Sequence, residues 1–112
     1  SQNAVDLAVI KANAANYTRS VGNSRGSVAT PEFMENEALK LQEKYPSLKV
    51  TSIKGEEVRK AGMNLLYNVG QSAVSAPRLV AIEYNGAVDQ KWQTIVGKGV
   101  TFDTGGLNTK PG

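Results

Sequence analysis

The sequence predicts an α/β fold, because two kinds of apolar pattern alternate along it. PEFMENEALKLQEK repeats apolar residues every three to four positions, whereas LKVTSI and RLVAIEY are short apolar or β-branched runs. Strands alternating with helices are the signature of α/β architecture. At 112 residues, the chain has room for one domain at most.

The elements follow in order. NAVDLAVIKANAANYTR is rich in alanine and lacks Gly and Pro, with Val5, Ala8, Val9 and Ala12 in helical spacing. A helix is expected from about Ala4 to Arg19. SVGNSRGSVA reads as a loop. Thr30-Pro31-Glu32 then forms a strong helix start: a capping hydroxyl, a proline at the first position and an acid at the positive end of the dipole. Met34, Ala38, Leu41 and Tyr45 give that helix one apolar stripe, and Pro46 marks its end. LKVTSI is a predicted strand. GEEVRKAG is a short helix closed by Gly62 as a left-handed cap. PRLVAIEY is a buried strand with Leu79 to Ile82 contiguous, followed by an Asn85-Gly86 turn. WQTIVGKGVTF is a further predicted strand.

Composition excludes several functions. Hydrophobic residues make up 40% and charged residues 21%, which rules out a disordered composition. The net charge is +3, but no run of five like charges exists, so no nucleic-acid partner is expected. No apolar run approaches a membrane span and the start does not read as a signal peptide. Cysteine and histidine are both absent. A disulfide framework, a thiolate metal site and a Ser-His-Asp mechanism supplied by this chain alone are therefore excluded. Any metal held here must use carboxylates, carbonyls, hydroxyls or a lysine, which favours Mg, Mn or Zn over copper.

The chemistry concentrates in VGKGVTFDTGG, from Val96 to Gly106. Gly97 and Gly99 leave the backbone around Lys98 uncrowded, and Gly105 and Gly106 permit a sharp turn beyond Asp103. A lysine and a carboxylate at a strand exit are where α/β proteins place sites. The same residues also suit an ordinary ion pair between Lys98 and Asp103. A P-loop does not fit, since Lys98 is followed by Gly99 and Trp92 stands where the first glycine belongs. Asp103-Thr104-Gly105 is the aspartic-protease triplet, but the helical segments upstream argue against that all-β fold.

VGKGVTFDTGGLNTKPG resembles the active-site segment of the leucine (cytosol) aminopeptidase family. The hallmark stands at Gly97-Lys98-Gly99, Thr101, Phe102, Asp103, Thr104, Gly105-Gly106 and Lys110. TPEFMENEALKLQEKY is similar to an early helix of that family's catalytic domain, and AGMNLLYNVGQSAVSAPRLVAIEYNG to the segment that follows. One departure is NSRGS, with Arg25 and Ser27 where the family usually has Pro and Asn.

The resemblance implies part of a three-layer domain with a mixed β-sheet flanked by helices. Residues 1–29 would be a linker helix and loop, and residues 30–112 the incomplete amino-terminal part of the catalytic domain. It further implies a cytoplasmic, metal-dependent aminopeptidase releasing residues such as leucine from peptides, typically as a homo-hexamer. Two divalent ions, Zn or Mn, would be the cofactors. Lys98 would be an amine ligand to one, Asp103 would bridge both, and Lys110 would stabilise the oxyanion as the catalytic residue. Further ligands and a catalytic arginine would lie beyond Lys110, so the chain is expected to be an internal piece, inactive without the remainder of its catalytic domain. The alternative is an aminopeptidase-like structural or interaction protein that has lost catalysis.

Overall fold

The computed structural model describes residues 1–102. The element order is α1 (Gln2–Gly22), α2 (Pro31–Lys44), β1 (Leu48–Lys54), α3 (Glu56–Lys60), α4 (Asn64–Gly70) and β2 (Arg78–Tyr84). Helices and a two-stranded antiparallel sheet of β1 and β2 make up the described fold, in keeping with the α/β class.

α1 is longer than predicted at both ends. Ser1 caps it, its Oγ accepting from the Ala4 N–H at 3.3 Å. Near the other end the hydroxyls of Thr18 and Ser20 donate back to the carbonyls of Ala14 and Tyr17, so these residues are absorbed into the helix. Val5, Leu7, Val9 and Ile10 are all more than half exposed, so the first half of α1 covers nothing among the described residues. The second half meets α2, where the Tyr17 hydroxyl donates to Glu37 Oε2 at 2.8 Å. Beside this bond Tyr17, Val21, Met34, Ala38, Leu41 and Ile82 line a small apolar cleft of about 200 Å³.

α2 begins where its signals place it. Thr30 Oγ1 accepts from the Phe33 N–H at 3.2 Å and Pro31 opens the first turn. α2 packs across both strands. In the antiparallel register Val50 faces Ile82, Ser52 faces Val80 and Lys54 faces Arg78. Directly opposed residues share a face, and that face meets α2. The predicted stripe is realised unevenly: Ala38 is 4% exposed, but Met34 is 40% and Tyr45 48%.

On β1, three of the N–H groups turned away from β2 find partners: Leu48 donates to the Tyr45 carbonyl, Val50 to Gln42 Oε1 at 2.6 Å, and Lys54 to Glu57 Oε2 at 3.2 Å. Side chains thereby blunt that edge against pairing with another strand.

α3 packs on β1 and against α4, with Val58 at 0% exposure at its centre. Gly62 closes the α3 turn at φ +82°, the left-handed conformation expected of it, with its N–H on the Arg59 carbonyl. α4 was not anticipated, because its apolar residues have no buried stripe: Leu65 is 85% and Val69 83% exposed. It is tied down by polar contacts instead. The Tyr67 hydroxyl donates to Glu56 Oε1 at 2.7 Å, and Arg59 Nε holds the other oxygen at 2.7 Å.

One expectation is corrected. The described part of WQTIVGKGVTF, residues 92–102, is not a strand. It pairs with neither β1 nor β2, and a strand exists only where its N–H and C=O groups find a ladder partner. Its apolar residues are uncovered, Ile95 at 96% and Val96 at 90%. β2 itself is also less buried than a strand covered on both faces, with Leu79 40% and Ile82 49% exposed.

Candidate functional site

Lys98 lies in this irregular segment and is exposed. A Cβ added at Gly97 or Gly99 would meet nothing within 4 Å, which agrees with the uncrowded backbone expected around Lys98. Upstream, the segment turns back past β2 and encloses an open trough whose walls include Leu79, Ile82, Trp92, Ile95 and Val96, ending at Gly97. The other predicted site residues, Asp103 and Lys110, fall outside the described residues, as does the alternative Lys98–Asp103 ion pair.

At the end of the described segment, Phe102 approaches Gly26 in the loop between α1 and α2. Reading the sequence placed Phe102 in the motif but paired it with nothing. No local pattern reveals a contact between residues so far apart.

Behind the segment, the start of β2 is fixed by a polar cluster that sequence reasoning also missed. Arg78, with a side chain only 8% exposed, brings Nε to 2.6 Å from Glu35 Oε2, and a second nitrogen lies 3.8 Å from Glu32 Oε1. Its Nη1 donates to Ser75 Oγ at 3.1 Å and to the Ala76 carbonyl at 3.2 Å. Ser75 Oγ also accepts from the Glu32 N–H at 3.2 Å, joining the first turn of α2 to the loop before β2. The Nε–H is not aimed well enough at Glu35 to form a hydrogen bond, so this contact is an ion pair by proximity. The Ser52 hydroxyl beside Glu35 likewise falls short of full hydrogen-bond geometry. Even so, the polar surroundings hold the Glu35 carboxyl below the ordinary carboxylate range. Ser52 contributes most, burial opposes it, and Arg78 and Lys54 add to the lowering. The only sequence signal for this cluster was an arginine at the first position of an apolar strand.

As a metal site, the described residues hold the lysine amine but no group of three or more Asp or Glu side chains. An amine and a carboxylate are acceptable donors to a borderline divalent ion, provided the amine is neutral. Lys98 and Asp103 thus fit in kind, but fall short of the three protein ligands that even a four-coordinate zinc requires.

A two-stranded sheet packed against α2 and α3 and followed in sequence by a glycine-flanked lysine and an aspartate defines the class: part of an α/β domain. The catalytic-domain profile of the cytosol aminopeptidase family matches residues 16–112, and the chain belongs to that family. It is 38% identical, over 99% of its length, to a probable cytosol aminopeptidase of Pseudomonas fluorescens, of which it spans 23%. It is 42% identical over 84% of its length to a probable cytosol aminopeptidase of Alkalilimnicola ehrlichii, spanning 19% of it. With the cytosol aminopeptidase of Pseudomonas aeruginosa the identity is 40% over 90% of the chain, spanning 21% of that protein. The chain therefore covers about a fifth to a quarter of these relatives. No solved structure matches it. No helix among the described residues is long and apolar enough to cross a membrane.

Proposed function

We propose that the full-length protein carrying this chain is a metal-dependent aminopeptidase that releases amino-terminal residues such as leucine from peptides. The observation that carries this reading is the complete run of Gly97-Lys98-Gly99, Asp103, Gly105-Gly106 and Lys110 within a chain belonging to the cytosol aminopeptidase family. Two divalent ions, Zn or Mn, would supply an activated water and polarise the peptide carbonyl. Lys98 would hold one ion through its amine, which must be neutral to bind since a protonated ammonium has no lone pair to give. Asp103 would supply a carboxylate to the ions. Lys110 would stabilise the negative charge that develops on the scissile carbonyl oxygen.

Residues 30–112 are the first part of the catalytic domain on this reading, and the remainder of that domain completes both the sheet and the metal ligands. One amine and one carboxylate cannot fill two coordination spheres, so residues 1–112 alone are inactive. A homo-hexamer in the cytoplasm is the proposed assembly and location, the latter supported by the relatives' names.

The test is chelation. Treatment of the full-length protein with a chelator should abolish release of leucine from a chromogenic leucyl amide, and added Mn or Zn should restore it. Activity indifferent to chelation but blocked by an aspartic-protease inhibitor refutes the metal reading. A metal-free, inactive full-length protein supports the structural alternative.

A further inference from the structure

The Asn85-Gly86 pair takes no part in the site above. It follows β2 directly and lies in neither helix nor strand, and both residues are exposed. The Gly86 N–H donates to no backbone carbonyl among the described residues. A neighbour explains the glycine: a Cβ built on Gly86 would stand 2.5 Å from Cε1 of Tyr84 and 2.7 Å from its hydroxyl oxygen. Carbon atoms in good contact stay about 3.5–4.0 Å apart. Any side chain at position 86 therefore displaces the Tyr84 ring. The ring that demands glycine thereby leaves a bare amide nitrogen next to an asparagine carboxamide.

That juxtaposition has a chemistry of its own. A backbone nitrogen one residue after an asparagine attacks the side-chain carbonyl carbon when three conditions are met. Its N–H must be free of acceptors, no β-carbon must crowd the approach, and the backbone must be able to turn the nitrogen toward Cγ. A helix denies the last by fixing the dihedrals, and beyond its first turn it also ties up the N–H. Asn3, Asn13, Asn16, Asn36, Asn64 and Asn68 all lie within helices. Asn23 follows α1, but the next residue, Ser24, carries a side chain and its N–H is held by the Val21 carbonyl at 3.1 Å. Among the described residues, Asn85 alone meets all three conditions.

We propose that Asn85-Gly86 is a self-modification site, at which the chain, with water as the only co-reactant, converts its own asparagine to aspartate and isoaspartate. The Gly86 nitrogen forms a bond to Cγ of Asn85. The carboxamide nitrogen takes up the proton from Gly86 and leaves as ammonia, which closes a succinimide ring. Water then opens the ring. Cleavage between Cγ and the Gly86 nitrogen gives aspartate in an ordinary backbone. Cleavage between that nitrogen and the main-chain carbonyl carbon of residue 85 gives isoaspartate, in which the chain runs through Cβ and Cγ. Nothing is oxidised or reduced. Either product places a carboxylate in the loop that joins β2 to the Lys98 segment, and isoaspartate also adds one carbon to the main chain there. This chemistry needs no metal and stands apart from the aminopeptidase reading.

The experiment incubates the full-length protein at physiological temperature, at neutral and mildly alkaline pH. Peptide mapping by mass spectrometry follows every asparagine, with electron-transfer fragmentation to tell isoaspartate from aspartate. Asn85 should convert at least about tenfold faster than any helical asparagine, since about 1.4 kcal/mol of local opening already slows the helical positions by that factor. Its rate should rise with pH, because the attacking nitrogen must lose its proton. A urea-unfolded sample is the reference, and the folded protein should convert Asn85 within about tenfold of it. Asn85 intact in the folded protein, or converting no faster than the helical asparagines, overturns the proposal. So does a rate indifferent to pH, or one more than about tenfold below that of the unfolded chain.

Discussion

Replacing Arg78 by alanine should loosen the junction between α2 and β2. The side chain is 8% exposed, and its removal strands the Glu35 carboxylate, itself 15% exposed, without its counter-charge at 2.6 Å. Breaking a buried ion pair from one side costs about 3–5 kcal/mol. Glu32 reaches Arg78 from an exposed position, its side chain 64% exposed, so water remains near and the lower end applies. Loss of the hydrogen bonds to Ser75 and the Ala76 carbonyl falls within the same total. An expectation of about 3 kcal/mol corresponds to somewhat more than 100-fold in local opening, at about 1.4 kcal/mol per factor of ten. Amide hydrogen exchange on the full-length protein reads this directly, because it reports local opening without requiring two-state unfolding. Protection across residues 31–44 and 78–84 should fall about 100-fold, and that of α4 should hold. Arg78→Ala combined with Glu35→Leu should recover much of the loss, since no unpaired charge is left. Protection within threefold of wild type in Arg78→Ala would refute the reasoning, as would a double variant no better than the single.

Three further outcomes are expected. Burial and the Glu37 carboxylate push the Tyr17 phenol up to about 12; its ordinary value is about 10. The folded state thus favours the neutral phenol, and the α1–α2 contact should weaken as pH rises from about 10 through 12. Exchange protection in α1 followed over that window should lose this step in Tyr17→Phe. Thr30→Ala removes the hydroxyl that caps α2 and should cost about 1 kcal/mol, seen as roughly fivefold faster exchange in its first turns. In the full-length protein, Lys98→Ala should lower the occupancy of one metal position, whereas Lys110→Ala should keep metal and lose about 10²–10³ in turnover. Equal metal content with equal activity in the two variants would remove that division of roles.

What was legible in the sequence was local. Thr30-Pro31 and Gly62 act on their own neighbours through one hydroxyl, one ring and one positive φ, and both were read correctly. The strands LKVTSI and RLVAIEY were legible because apolar and β-branched runs suit a sheet, and both found each other in register. The chemical identity of the candidate site, a lysine and an aspartate among glycines, is also a property of the sequence itself.

Tertiary structure decided the rest. Residues 92–102 carry strand-like composition, yet they form no strand, because pairing requires a neighbour that composition does not supply. The identical logic runs through α4, whose exposed leucine and valine give no helical stripe and which is held by Tyr67 and Glu56 instead. Arg78 and Glu35, forty-three residues apart, meet only because α2 lies across the sheet. Gly26 and Phe102 are more distant still in sequence, and their approach depends on a missing side chain at one and a ring at the other. Such pairings carry no periodicity, since the chain that separates them sets no spacing between their side chains; the fold alone brings them together.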